Sequence, residues 1–153
     1  MGYRSDIRIT TSKEGFKVLS EFAKKYLENK NKDYDLLKDL DLMVEGKEQC
    51  YFGWDYVKWY DGYNDVDAIM KGLEYLEDNN YSYRYMRIGE SYDDCEEQSY
   101  DGEKDENIYL EYPNMIRDFD DDYIKGLLLD KQIEGLEDNM EDIDIWVIFM
   151  MKY

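Results

Sequence analysis

Asp118-Phe119-Asp120-Asp121-Asp122 opens like a calcium-binding loop, with carboxylates at alternate positions where such a loop places hard oxygen ligands. The pattern breaks immediately. Its sixth position is Tyr123, where the loop needs glycine for a sharp turn, and its twelfth is Leu129, where it needs a bidentate glutamate. Asp118, Asp120 and Asp122 are therefore expected to open a helix, where carboxylates favour the dipole, and no metal site is expected. No other spacing points to catalysis. The chain has no His, which removes the commonest general base, the commonest metal ligand and the usual triads. Carboxylate pairs could move protons, but 38 Asp and Glu make such pairs by chance. There is no Gly-rich phosphate loop. Cys50 and Cys95 are the only cysteines and have no metal spacing. The expectation is a protein that is not an enzyme and uses no cofactor.

Charge carries the functional signal. Residues 1–60 hold 11 Lys/Arg and 11 Asp/Glu, whereas residues 61–153 hold 8 and 27, so the second part carries the whole net −19. Residues 90–144 alone hold 21 acidic and 4 basic side chains. Self-repulsion opposes compaction, so this asymmetry concerns partners and solubility more than fold. A surface dense in carboxylates resembles the phosphate array that Lys/Arg grooves are built to meet. The candidate surface is Asp93, Asp94, Glu96, Glu97, Asp101, Glu103, Asp105 and Glu106, with Asp118, Asp120, Asp121 and Asp122. A merely solubilising face is the competing explanation.

The densest aromatic group is Trp54, Tyr56, Trp59, Tyr60 and Tyr63. About half of such a group is expected in the core. The rest, Trp54, Tyr56, Trp59 and Tyr60 being the candidates, could anchor a partner, since Tyr and Trp are enriched at interfaces. Aromatics among basic residues would suggest single-stranded nucleic acid. Here the neighbours are mainly acidic and would repel phosphates, so direct nucleic-acid binding is not expected.

These residues need a frame. Residues 6–10 alternate as a half-buried strand does, with Ile7 and Ile9 in phase. Thr11-Ser12-Lys13-Glu14 has capping-box spacing, and a helix is predicted over 12–29. A short strand near 40–44 turns at Gly46. Residues 50–60 read as a long strand whose apolar phase changes after Trp54, predicting a bulge within 53–56. Asn64 is the predicted cap of a second helix ending at Asn79-Asn80. Residues 81–88 form a strand by β-propensity, 91–107 an acidic loop, and 108–112 a further strand. A weaker helix over 122–136 contains Gly126 and Gly135. Residues 143–151 read as a buried closing strand, with a docked helix as the alternative.

The order β-α-β-β-α-β predicts an α+β fold: an antiparallel sheet with two helices on one face, ferredoxin-like, plus a C-terminal extension. One domain is expected over 1–153, with 1–112 as its core and 113–153 as an acidic extension packed on it. The longest apolar run has seven residues, against roughly 20 for a membrane span. The polar start does not resemble a signal peptide, and Asp6 breaks the myristoylation pattern that Met1-Gly2 would begin. A soluble protein of a reducing, cytoplasmic compartment is expected, without membrane partners.

The opening Met1-Gly2-Tyr3-Arg4-Ser5-Asp6, the central Trp54-x-x-Val57-Lys58-Trp59-Tyr60 with Asp65-Val66-x-Ala68-Ile69-Met70, and Arg87-Ile88-Gly89-Glu90-x-Tyr92-Asp93-Asp94 resemble a group of small acidic phage and prophage proteins. The resemblance spans about residues 1–94 and brings no catalytic residues. It implies life in a host bacterial cytoplasm. It also implies kinship of type with anti-CRISPR and anti-restriction inhibitors, several of which occupy the DNA-binding groove of their target.

The expected function is therefore that of a phage-encoded inhibitor, a DNA mimic evading host defence. It would meet a basic host protein that handles nucleic acid, a Cas effector nuclease first among them. The first alternative is a binder that sequesters a signalling nucleotide in an aromatic pocket. That would need cations such as Arg4, Arg8, Lys58, Arg84 or Arg87 at the pocket. A phage structural or housekeeping role is the other alternative.

Overall fold

The computed structural model describes residues 2–30, 35–115 and 118–132. The elements are β1 (Ser5–Ser12), α1 (Lys13–Asn29), β2 (Leu42–Glu45), β3 (Gln49–Val57), α2 (Asn64–Asp78), β4 (Tyr83–Gly89), β5 (Cys95–Tyr100) and α3 (Asp121–Gln132). Short 3₁₀ turns occupy Leu36–Lys38 and Glu103–Asp105. The fold is α+β. Among the described residues five antiparallel strands are ordered β2-β3-β1-β4-β5, which puts β1 in the middle and leaves β2 and β5 at the ends of this sheet.

Strand alternation sorts the side chains into separate cores. Ile7 and Ile9 of β1, Cys50, Phe52 and Trp54 of β3, and Tyr83 and Tyr85 of β4 share one cluster. Leu19, Ala23 and Leu27 of α1 and Val66, Ile69, Leu73 and Leu76 of α2 complete it. Each fully buried Leu or Ile here stabilises the fold by about 1.5–3 kcal/mol. The two helices also touch through Phe22 and Tyr75, whose ring centroids lie 5.1 Å apart. Residues of the opposite strand phase pack elsewhere. Tyr51 joins Val44 with Ile124 and Leu128 of α3, and Met86 and Ile88 join Phe119. The described part of the extension thus packs on the sheet through α3.

The predicted bulge is present. Ser5 pairs with Val57 and Ile7 with Trp54, so two steps along β1 match three along β3. Tyr56 absorbs the extra residue with a φ of +53°, and its amide donates to Asp6 Oδ1 at 2.8 Å. Just before the bulge, β1 and β3 run close together. A Cβ built on Gly53 would overlap the Ile7 carbonyl, so only glycine fits. The strand ends at Val57, three residues earlier than the periodicity of 50–60 suggested.

Several readings need correction. The cap of α1 is Ser12, whose Oγ accepts from Gly15 N at 2.9 Å. The third helical position is Gly15, so no reciprocal carboxylate closes a capping box, and the buried Thr11 hydroxyl has no partner among the described residues. Asn64 is the first residue of α2, with Tyr63 at the cap and no side-chain bond to the helix amides. Residues 91–107 are not one loop but contain β5 and the turn Glu103–Asp105. Residues 108–112 form no strand. The Gln49 side chain takes the place of a ladder there, its amide nitrogen donating to Glu111 O and its oxygen accepting from Glu111 N, each at 3.0 Å. The predicted end of the third helix and the closing segment 143–151 lie outside the described residues. Among the described residues no helix is long and apolar enough to cross a membrane.

Candidate acidic interface

β5 reads Cys-Glu-Glu-Gln-Ser-Tyr and has almost nothing apolar to bury. It is a strand because β4 and a pinned turn make it one. Its register runs from Ile88 opposite Cys95 to Tyr83 opposite Tyr100. In the turn, Gly89 N donates to Asp94 O at 2.8 Å and Asp94 N to Ser91 O at 3.0 Å. Arg87 locks the arrangement. Its Nη2 and Nη1 donate to Asp94 Oδ1 and Oδ2 at 2.7 and 3.1 Å, Nη1 also reaches Ser5 Oγ at 3.2 Å, and Nε reaches Glu96 Oε1 at 3.4 Å. Tyr3 ties in the N-terminus, donating to Asp94 Oδ2 at 2.5 Å while accepting from Ser91 N at 2.9 Å. The hydrogen bonds to Asp94, followed by the nearby negative charges, raise the Arg87 guanidinium above its ordinary value despite partial burial. Two-point Arg–carboxylate pairs fix geometry as well as charge.

The rest of the strand faces water. Cys95, Glu96, Glu97, Gln98 and Ser99 are all exposed, as are Asp93 before them and Asp101 after them. Beyond Tyr100 the acidic surface continues into an open cleft of about 560 Å³ bordered by Arg84, Asp101, Glu103, Glu106 and Tyr109. Arg84 lies 4.7 Å from the Tyr112 ring centroid, and its Nη2 is 3.5 Å from Asp101 Oδ1. Among the described residues Asp93, Glu97, Glu103 and Glu106 make no ion pair.

Asp105 departs from the surface predicted for it. It is 4% exposed. Its Oδ2 accepts from Ser82 N at 2.8 Å and Ser12 Oγ at 3.1 Å, tying the start of β4 to the cap of α1. It is a structural bracket under an acidic turn. Asp94, half-buried in the Arg87 clamp, is also less available than its neighbours.

The second acidic group, 118–122, is not brought into line with β5. Asp121 sits over β1 and β3, where Arg8 meets it through Nε to Oδ1 at 3.0 Å and Nη2 to Oδ2 at 2.8 Å. Tyr51 donates to the same carboxylate at 2.6 Å, and Arg8 also reaches Asp55 at 2.8 Å. Burial alone would raise the Asp121 carboxyl, but the bonds from Arg8 and Tyr51 and the Arg8 charge hold it below the ordinary range. Burial, then the Asp121 carboxylate, push the Tyr51 phenol upward. Asp118, Asp120 and Asp122 remain exposed. Among the described residues no three His, Cys, Asp or Glu are grouped to hold a metal ion.

The aromatic candidates separate as well. Trp54 is 2% exposed and donates to Leu36 O at 2.9 Å, which makes it a core residue. Trp59 is half-buried between Trp54 and Tyr85, at centroid distances of 5.4 and 6.5 Å. Tyr60 is half-buried edge-to-face with Tyr63. Tyr56 is exposed at the bulge, with the Arg4 guanidinium 5.0 Å from its ring centroid.

Sequence reasoning missed the strand character of 95–100 and the Arg87 clamp. The alternating contrast it relies on is absent when both faces of a strand are polar. The available signal was Arg87 ahead of Asp94 and Glu96, with Gly89 between them to make the turn. Compared with protein-family models, curated proteins and solved structures, the chain matches none.

Proposed function

We propose that this protein is a stoichiometric, non-enzymatic binder of a basic host protein that handles nucleic acid. It would occupy a Lys/Arg-rich surface through β5 and the turns that flank it. One observation carries the reading: Glu96 and Glu97, one on each face of β5, and Asp93 and Asp101 in the segments flanking it are all exposed around a strand whose position is fixed by internal bonds. A fixed array of carboxylates can meet a phosphate-binding groove without first ordering itself, which lowers the cost of binding. Arg84 pairs with Asp101 at 3.5 Å, and Arg87 with Asp94 at 2.7 Å and Glu96 at 3.4 Å; two cations against Asp93, Asp94, Glu96, Glu97 and Asp101 leave the edge anionic. The phage resemblance makes a defence enzyme the target class, and a CRISPR effector nuclease the first target to test.

The supporting frame is proposed as a ferredoxin-like β-α-β-β-α-β unit extended by β5 next to β4. The strand order β2-β3-β1-β4-β5 and the contact between α1 and α2 support this reading. The nucleotide-binding alternative is less well supported. Arg8 is 3% exposed and saturated by Asp55 and Asp121, and Arg87 is held by Asp94.

The experiment is affinity capture from host lysate with mass spectrometry of proteins and small molecules, run on the parent and on a variant with Asp93, Glu96 and Glu97 reversed to Lys. Asp94 is left intact because it holds the turn. The parent should retain a nucleic-acid enzyme and the variant should lose it with little change in melting temperature. Equal capture by both would reduce β5 to a solubilising surface, and a co-purified nucleotide would favour the alternative.

A further inference from the structure

β5 is exposed on both faces and lies at the end of the sheet. Outside the β4 ladder, no backbone group of residues 96–100 bonds to another described residue. Among the described residues one row of its N–H and C=O groups is therefore left to pair with a further strand. Residues 96–100 offer about 16 Å of edge at roughly 3.3 Å per residue, enough for a short extended segment. The charge on this edge decides which segment it accepts. A second copy of the chain would bring Glu96 and Glu97 of both molecules, with Asp93 and Asp101, into a single seam, and like charges facing across strands are destabilising. An acidic or neutral strand gains no compensation for approaching four carboxylates. A segment carrying Lys or Arg on alternate residues gains the backbone ladder and the ion pairs together.

We infer that β5 captures a basic, extended segment of its partner by adding it as a sixth strand. This rests on the proposed function and names its binding mode: backbone pairing supplies the registration and the carboxylates supply selectivity for a cationic strand. It differs from simple surface neutralisation, which needs no particular backbone conformation in the partner.

The test uses the full-length protein and two synthetic octapeptides of alternating Lys and Thr. One has a normal backbone, and the other is N-methylated at alternate residues so that it keeps its charge but cannot pair. A Glu–Thr octapeptide is the control. Calorimetry at low salt measures affinity, and amide exchange by NMR reports on residues 95–100. The normal Lys–Thr peptide should bind and slow exchange of the outward amides of β5. N-methylation should weaken binding at least about tenfold, since several backbone hydrogen bonds are lost together. Glu97→Lys, checked for an unchanged melting temperature, should also weaken it. Equal binding of the two Lys–Thr peptides would overturn strand addition while leaving the acidic-surface reading intact. Failure of both to bind overturns it too, and the lysate capture then judges the broader reading alone. Slow exchange of those amides in the free protein would show the edge already paired, and a dimer protected at β5 would show a second copy to be the occupant. Either result excludes the inference.

Discussion

Arg8, on the central strand, and Asp121, at the first residue of α3, join through two parallel hydrogen bonds across 113 positions of sequence. Arg8 is buried and Asp121 partly so, and Tyr51 donates to the same carboxylate. The pair fastens α3 to the sheet at the point where Ile124 and Leu128 begin to pack.

Asp121→Asn should destabilise the protein by about 2–4 kcal/mol near neutral pH, because removing one partner leaves a buried charge undercompensated. The carboxyl is held below its ordinary value of 3.8. Its contribution is therefore present above that pH and disappears as pH falls through the lower folded value. Denaturant unfolding at about pH 7 and again near pH 2 should show the gap between parent and variant closing in acid. A gap that stays constant would mean the charge of Asp121 is not its source.

Asp105 and its acidic neighbours should behave as different kinds of residue. Asp105→Ala strands the buried Ser82 amide and should cost about 2–3 kcal/mol. Glu103→Ala and Glu106→Ala, both exposed, should each stay within about 0.5 kcal/mol of the parent. Thermal or urea melts of the three variants make the comparison, and similar melts for all three would remove the bracket.

The two thiols should react at very different rates. Cys50 is 2% exposed, and burial, with a smaller push from Glu45, raises its thiol to about 11. Cys95 is exposed on β5. A thiol reagent near pH 8 should modify one group quickly in the native protein and the second only after denaturation, since thiolate and access are both required. Two fast groups would contradict the packing of β3.

Gly53→Ala should prevent normal folding, because the added methyl has only the Ile7 carbonyl to displace and neither β1 nor β3 can move apart without losing the ladder. Circular dichroism and solubility at moderate temperature are sufficient readouts. A folded variant with parental stability would disprove the close approach described here.

Calcium should leave the melting temperature unchanged. Tyr123 and Leu129 stand where the loop needs glycine and glutamate, no three ligating side chains are grouped among the described residues, and Asp118 Oδ1 already accepts from Phe119 N at 2.8 Å. A rise on adding calcium, abolished by Asp120→Asn, would revive the loop resemblance.

The parts of the fold legible in the sequence are those where one face is apolar and the other is not. Ile7 and Ile9, the helical spacing of Leu19, Ala23 and Leu27, and the phase change after Trp54 each stated their environment in a short window. β5 was not legible, because its strand state depends on β4, Arg87 and a turn, not on its own pattern. Residues 108–112 misled for the opposite reason: they alternate, but Gln49 satisfies Glu111 from the side, and among the described residues no neighbouring strand pairs with them. At the candidate site, charge density picked out a stretch whose carboxylates are mostly exposed. It could not show that Asp105 points inward, since a carboxylate buried as a backbone acceptor is indistinguishable by type from one facing water.

The position of β1 has a consequence for the order in which the molecule assembles. β1 comes first in sequence among the described strands yet lies at the centre of the sheet, between β3 and β4. It must wait for residues 49–57 for the first and 83–89 for the second. The β2–β3 hairpin, by contrast, closes over a few residues and needs nothing upstream. Local contacts form before distant ones because their loops are cheaper to close. The nascent chain should therefore leave Ile7 and Ile9 incompletely sheltered until residues 83–89 have been made. The acidic strand β5, which among the described strands pairs with β4 alone, is added after the centre of the sheet is complete.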